Sequence, residues 1–413
     1  MKLGINTEIA LTYIVGRRKQ TMVAALGVTF GISMFIFMNS LITGTNNWSE
    51  EVMLSTTPHI RLYNDNQLST NGMLDRYAGT ATVNLISNPQ MVYSDNKIAN
   101  PDALLKQLQS HSEVTAISKQ VSTEILYSNG NVQENGNAFG VNILEQDKMF
   151  GITATMIAGD VKSLVNNPNG IIIGSGLADK LNLAKGDYIN LTYSKVTKSL
   201  EVVGIFKTTV KAVDDTKSYT NTAVVQQLLQ KDRSYITDIY INIKDYYNAP
   251  EVAQSLQSQT GYTAESWQST NEQSLAGKKI RDIIANSMVI TILIVAGFGI
   301  YNILNMVIYE KIKEIAILKA TGFQGKDVVS IFLRQALIIG CIGSVAGMLM
   351  GALISYGVSK MYLGLGNVDY LPVTFLTKHY VQGGAFGIVT AFFAGYIPAV
   401  KASKVDPVLI IRG

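Results

Sequence analysis

Charge is scarce in this 413-residue sequence: 15% of its residues are Asp, Glu, Lys or Arg, against roughly 25% in an ordinary soluble domain. The deficit falls in four uncharged stretches, residues 22–44, 283–308, 335–359 and 380–400. Each is long enough, at about 1.5 Å per residue, to cross a hydrocarbon core about 30 Å thick. An all-soluble enzyme is excluded by that pattern. Cysteine is nearly missing as well: the single thiol, Cys341, lies inside the third stretch, so no disulfide framework forms within one chain. The three histidines, His59, His111 and His379, are far apart and have no Cys or Glu at metal-ligand spacing, so they read as ordinary surface residues. A net charge of +4 is too small and too dispersed to suggest a nucleic-acid partner. No Gly-x-x-x-x-Gly-Lys-Ser/Thr phosphate loop occurs. The nearest match, Gly322 to Asp327, has the wrong spacing and no hydroxyl after Lys326, so the chain itself is not expected to hydrolyse ATP. Ser175 lies in Ile-Gly-Ser-Gly-Leu rather than a nucleophile elbow, and no catalytic residue is predicted. The four stretches also lack Asp, Glu, Lys, Arg and His, which counts against an ion-driven transporter.

What remains is a membrane α-helical protein with four transmembrane helices. Residues 22–44 follow the basic cluster Arg17, Arg18, Lys19, as a signal peptide would. The run outlasts the about 7–15 residues of a signal core and passes into Asn46, Asn47 and Trp48 without a small-residue cleavage site, so it reads as an uncleaved anchor. Basic residues crowd one set of span ends: Arg17, Arg18, Lys19, then Lys311, Lys313, Lys319, Lys326 and Arg334, then Lys401, Lys404 and Arg412. The short loop 360–379 holds only Lys360 and Lys378. By the positive-inside rule residues 1–21, 309–334 and 401–413 are cytoplasmic, as are both termini, and residues 45–282 lie across the membrane. Lys278, Lys279 and Arg281 oppose this count but belong to a long domain, which translocates largely regardless of charge.

The large segment reads as α+β and is inserted between the first and second spans. Two βαβ-like units flank a middle portion. In one, a strand near His59 leads to a helix over 101–110 and a strand over 114–125. In the other, a strand over 239–243 precedes a helix over 250–258 and a strand over 262–267; in both, proline followed by an acid starts the helix. Between them, residues 128–227 alternate as strands do, with a turn at Asn129, Gly130, Asn131 and a short helix over 176–183. Residues 64–100 are rich in Asn, Ser, Thr and Gly and read as a loop.

Small residues recur every fourth position in two spans: Gly343, Gly347 and Gly351, then Gly383, Gly387, Ala391 and Gly395. Such stripes let helices approach closely, here within one chain or at a subunit interface. Asn39, Asn302 and Asn305 need hydrogen-bond partners in hydrocarbon and are expected to find them across helices. The loop from Tyr309 to Phe323 carries an apolar stripe, Ile312, Ile315 and Ala316 with Leu318 at its edge, among Glu310, Lys311, Lys313 and Glu314, and ends at Gly322. That pattern fits equally a helix lying on the membrane surface and one docking in a groove of a soluble partner.

Three of these motifs together resemble the permease subunits of the MacB/LolC/LolE/FtsX group of ABC transporters. They are the approach to the first span from Ile9 to Thr21, the loop from Glu310 to Gly322, and the ending from Ile397 to Pro407. A fourth, Ala158-Gly159-Asp160 to Gly174 and on to Lys185-Gly186-Asp187, is similar to the outer domain of the lipoprotein-releasing members. The resemblance implies a bacterial inner-membrane, multi-pass permease, paired with a second permease subunit and with a cytoplasmic ABC ATPase dimer that holds ATP and Mg. This chain would bind no cofactor. Glu310, Lys311, Glu314, Ile315, Leu318, Gly322 and Phe323 would form the coupling helix that receives the ATPase stroke. Residues 50–127 with 228–275 would form the family's porter-like subdomain, and residues 128–227 the Sabre-like one. For lipoprotein release the chain needs an apolar cavity, for which Phe30, Phe35, Phe37, Ile292, Ile294 and Phe298 are candidates, contact with membrane lipids, and a periplasmic carrier or adaptor. One departure is visible. The strands over 188–193 and 200–206 are joined by six residues only, so the extended arm of LolC-type subunits is missing, which points toward a LolE-type subunit or a MacB-type efflux permease for amphiphilic drugs, peptides or glycolipids. An FtsX-like signalling protein acting on a cell-wall hydrolase would have a smaller outer domain.

Overall fold

The computed structural model describes residues 4–65, 96–365 and 368–412. These divide into two compact units, one built from the segment before Glu50 and most of the chain after Leu275, the other mainly from Glu50–Leu275. Most of the polar segment 64–100 therefore lies outside the described residues.

In the first unit, four helices are long and apolar enough to cross a membrane: Arg18–Thr56, Glu272–Glu310, Gly325–Ser359 and Thr377–Ser403, here the first to fourth spans. The first two are 39 residues each, about 58 Å and nearly twice the hydrocarbon thickness, because no proline interrupts the polar residues beyond the apolar run. Asn46 and Arg281 tie them together. The Asn46 amide donates to Asp282 at 2.8 Å and its carbonyl accepts from Arg281 Nε at 3.0 Å.

The glycine stripes are contact surfaces inside the chain. A Cβ added at Gly343, Gly347 or Gly351 would lie 2.6, 2.8 or 3.0 Å from the Cβ of Val28, Ile32 or Ile36, so the third span meets the first turn for turn. Thr29 Oγ1 donates to the Gly343 carbonyl across this contact at 3.3 Å. On the fourth span, Gly383 faces Phe35 and Ile36, Gly387 faces Ile32 and Ser344, and Gly395 faces Ala336. Asn39 bonds back to its own helix at the Phe35 carbonyl (2.9 Å) rather than across to a neighbour.

In the second unit, ten strands are described: β1 Ile60–Tyr63, β2 Val114–Asn129, β3 Val132–Val141, β4 Met156–Gly159, β5 Gly170–Gly174, β6 Tyr188–Tyr193, β7 Val196–Phe206, β8 Lys217–Asn221, β9 Asp238–Ile243 and β10 Thr263–Ser266. The two βαβ-like units are interleaved. β1 inserts between β9 and β10, and β9 between β1 and β2, giving the antiparallel order β10-β1-β9-β2, the arrangement of two split βαβ units. Their helices, Pro101–Gln109 and Ala249–Thr260, differ by three residues rather than the expected one. From Gln120 onward β2 leaves β9 and pairs with β3. The ladder then runs β3-β8-β5-β7-β6 and returns to β2, closing a six-stranded barrel with β4 added to β7. Inside, Tyr127 is fully buried and shares a hydrogen bond with Ser218 at 2.6 Å. The β6–β7 connection is tighter than expected. Strand pairing extends to Tyr193 and Val196, leaving a turn of Ser194 and Lys195 with Ser194 at φ +53°.

None of the three histidines is a fully exposed surface residue, His111 being half-buried. His379 is 6% exposed in the fourth span, and His59 is half-buried against the Tyr246 ring, with Nδ1 3.1 Å from the Ile243 backbone N–H.

Candidate functional site

The loop between the second and third spans folds as a helix over Ile312–Ala320. It stops where Gly322 takes φ +107°, a conformation that a Cβ would strain, and the Phe323 N–H turns back to the Leu318 carbonyl at 3.1 Å. The third span then starts with a reciprocal capping pair between Gln324 and Asp327.

This helix is held from three sides. Ile315 is buried in an apolar cluster with Ala10 and Tyr13 of the amino-terminal helix Ile5–Gly16, Phe332 of the third span and Ala402 of the fourth, and Ala316 beside it is fully buried. Lys319 Nζ donates to the Ser403 and Val405 carbonyls at 3.0 and 2.5 Å, satisfying groups left open where the fourth span ends. Arg17 pairs with Glu310 at 2.8 Å. Lys311 pairs with Glu314 and sits 5.5 Å from the centre of the Tyr13 ring. Burial, and then the Glu314 carboxylate that accepts from it, push the Tyr13 phenol up to about 12, so it stays a donor.

Of the seven residues expected to contact a partner, Ile315 is therefore turned inward at 1% exposure, and Glu310, Lys311 and Glu314 are engaged within the chain. Leu318 and Phe323 are half-buried and Gly322 is exposed. The apolar residue that faces outward is Ile317, 56% exposed, which the stripe Ile312, Ile315, Ala316 did not include. It lines a groove of about 490 Å³ between the amino-terminal and loop helices, together with Glu8, Ile9, Tyr13, Glu314 and Leu318.

A second groove, about 720 Å³ and almost wholly apolar, lies between the second and fourth spans, lined by Ile294, Phe298, Tyr301, Phe393 and Ile397 among others. Ile294 and Phe298 line the groove, whereas Phe35 is buried against Phe386, Phe30 is exposed elsewhere, and neither Phe37 nor Ile292 is part of the lining. The second span is the least buried of the four. On it, Asn302 is exposed, and neither Asn302 nor Asn305 has a side-chain hydrogen bond among the described residues. Among the described residues no group of acidic, histidine or cysteine side chains is placed to hold a metal ion.

Residues 21–259 match the MacB-like periplasmic core domain and residues 286–407 the FtsX-like permease C-terminal region. Among curated proteins, the chain is 23% identical to the lipoprotein-releasing system transmembrane protein LolC of Neisseria meningitidis serogroup B, over 99% of both chains. It is 22% identical to the corresponding protein LolE of Haemophilus influenzae, over 98% of both. A shorter stretch, 31% of this chain and 19% of the relative, is 33% identical to the macrolide export ATP-binding/permease protein MacB of Wolinella succinogenes.

Proposed function

Because this chain belongs to the ABC transporter permeases of the LolC/LolE/MacB/FtsX family, we propose that it is a subunit for releasing lipoproteins from the bacterial inner membrane. The observation that carries this reading is the end-to-end match to both LolC and LolE, where the match to MacB covers under a third of the chain. The work of ATP hydrolysis falls to a separate cytoplasmic ATPase dimer, which holds the nucleotide and Mg. Ile317, Gly322 and the groove beside Glu314 are the contact surface, on the side of the membrane where both termini lie. The stroke passes through the second span to the α+β unit on the periplasmic side, which meets a soluble carrier or adaptor.

The apolar groove beside Ile294 and Phe298 suits an acyl chain. Exposing one long chain to water costs on the order of 10 kcal/mol at about 0.8 kcal/mol per CH₂. A second permease subunit, identical or related, covers the second span. Its Asn302, exposed and without a side-chain hydrogen bond among the described residues, supports that reading, since a carboxamide in hydrocarbon is satisfied by a neighbouring helix.

A MacB-type efflux permease is the second reading, favoured by the two-residue turn at Ser194 and Lys195 where an extended gripping arm would otherwise project. Purification from native membranes in mild detergent, with mass spectrometry of retained proteins and lipids, separates the two. Lipoprotein release predicts a bound lipoprotein with the ATPase. A periplasmic adaptor without any lipoprotein would overturn it.

A further inference from the structure

The chain between the third and fourth spans forms a small hairpin of Tyr362–Leu365 with Val368–Tyr370, where the sequence suggested only a short loop. Its surface is unlike that of a solvated turn. Tyr362 is 72% exposed, and Met361, Tyr370, Phe375 and Leu376 are exposed with it, while the only charges from 360 to 378 are Lys360, Asp369 and Lys378. The Tyr362 and Tyr370 rings meet edge to face at 6.2 Å.

Two observations fix the level of this hairpin along the spans. The Thr374 N–H donates to the Ser40 carbonyl of the first span at 3.1 Å. A Cβ on Gly44 would lie 2.1 Å from the Pro372 carbonyl oxygen, so the chain leaving the hairpin rests directly on the first span's backbone there. Ser40 and Gly44 lie in the last turn of the apolar run, just before the polar Thr45, Asn46 and Asn47, where a span of that length leaves hydrocarbon for the headgroups. The exposed face is also continuous with a lipid-facing one, because Leu349, Leu353 and Tyr356 form an outward stripe along the third span that leads into Met361 and Tyr362.

We propose that this hairpin is seated in the phospholipid headgroup layer, at the end of the spans opposite the loop helix. Tyrosine is suited to that layer because its ring is apolar and its hydroxyl is wet. The flanking Lys360 and Lys378 place cations beside phosphate. The inference rests on the four helices crossing a membrane and not on the nature of the cargo.

The test uses the full-length chain in vesicles of phosphatidylethanolamine and phosphatidylglycerol. Replacing the lone cysteine (Cys341→Ala) allows a nitroxide to be placed singly at Tyr362→Cys or Phe375→Cys, with Leu353→Cys as the hydrocarbon reference and Val132→Cys, exposed on the second unit, as the aqueous one. At the hairpin, collisions with a water-soluble nickel chelate are expected to fall on the order of twofold or more below those at Val132, and collisions with oxygen to rise toward those at Leu353. Two sites are labelled so that failure of one variant to insert does not leave the question open. Nickel accessibility equal to that at Val132 would overturn the proposal in favour of a solvated loop. Protection from both reagents would overturn it in favour of a protein partner. Neither result would touch the lipoprotein reading, which the co-purification decides.

Discussion

Replacing Gly347 by alanine tests the packing on which every other feature of the first unit depends. The new methyl carbon would sit 2.8 Å from Ile32 Cβ and 2.9 Å from the Thr29 carbonyl oxygen, where ordinary contact begins at 3.4 Å. The first and third spans must therefore part by at least about half an ångström, and Gly343 and Gly351 on the same stripe prevent a simple rotation from relieving it. Overpacking of this kind costs about 1–3 kcal/mol. Alanine returns about 0.5–1 kcal/mol as the better helix former. Gly357 supplies the control, since it is on the same helix with nothing within 4 Å of its added Cβ, and there alanine gives the propensity gain alone. The two variants should differ by about 1–3 kcal/mol, a roughly 5- to 150-fold difference in unfolding equilibrium. Reversible unfolding in mixed micelles, followed by tryptophan fluorescence, measures it. Equal stability of Gly347→Ala and Gly357→Ala would refute the intrachain contact and leave the stripe free for another subunit.

Ile317→Glu should leave the chain folded but cut ATPase recovery in a pull-down about tenfold or more, whereas Ile315→Glu, which buries an unpaired charge, should abolish stable membrane expression. Gly322→Ala forces a side chain into left-handed backbone at about 1–2 kcal/mol, and should weaken the stimulation of ATPase activity by cargo while insertion is unchanged. Tyr127→Phe leaves the Ser218 hydroxyl buried without its partner and should cost about 1–3 kcal/mol in thermal unfolding. Burial lowers the His59 imidazole from its ordinary 6.5, partly countered by the Ile243 carbonyl 3.1 Å from its Nδ1. The unfolded chain takes up the proton first, so the contribution of His59 is complete above that value and fades as pH falls through the folded one. His59→Asn should flatten the melting temperature measured across that range.

The spans were readable because uncharged runs of that length have few alternatives in water, and the capped loop helix because Gly322 and the Gln324–Asp327 pair punctuate it. Which face of the loop helix looks outward was not readable. Ile312, Ile315, Ala316, Ile317, Leu318 and Ala320 ring the helix almost completely, so periodicity had no contrast to work with, and the choice between Ile315 and Ile317 falls to tertiary contacts. The same difficulty hid the groove: facing lipid and facing a neighbour both select Phe and Ile, so Phe30 and Phe298 look alike in sequence. Strand composition located β1, β2, β9 and β10 closely, yet their interleaving and the closure of the barrel through β6 are pairings between distant segments, on which local alternation is silent.

One strand has a mechanical consequence. Because β2 is paired to β9 up to Gln120 and to β3 from Gln120 onward, the two halves of the α+β unit share a single backbone in place of a linker. Torque applied to one half is delivered to the other through covalent bonds and rows of amides. A push at the four-stranded end therefore turns the barrel as a crank turns its shaft, with no slack to be taken up first.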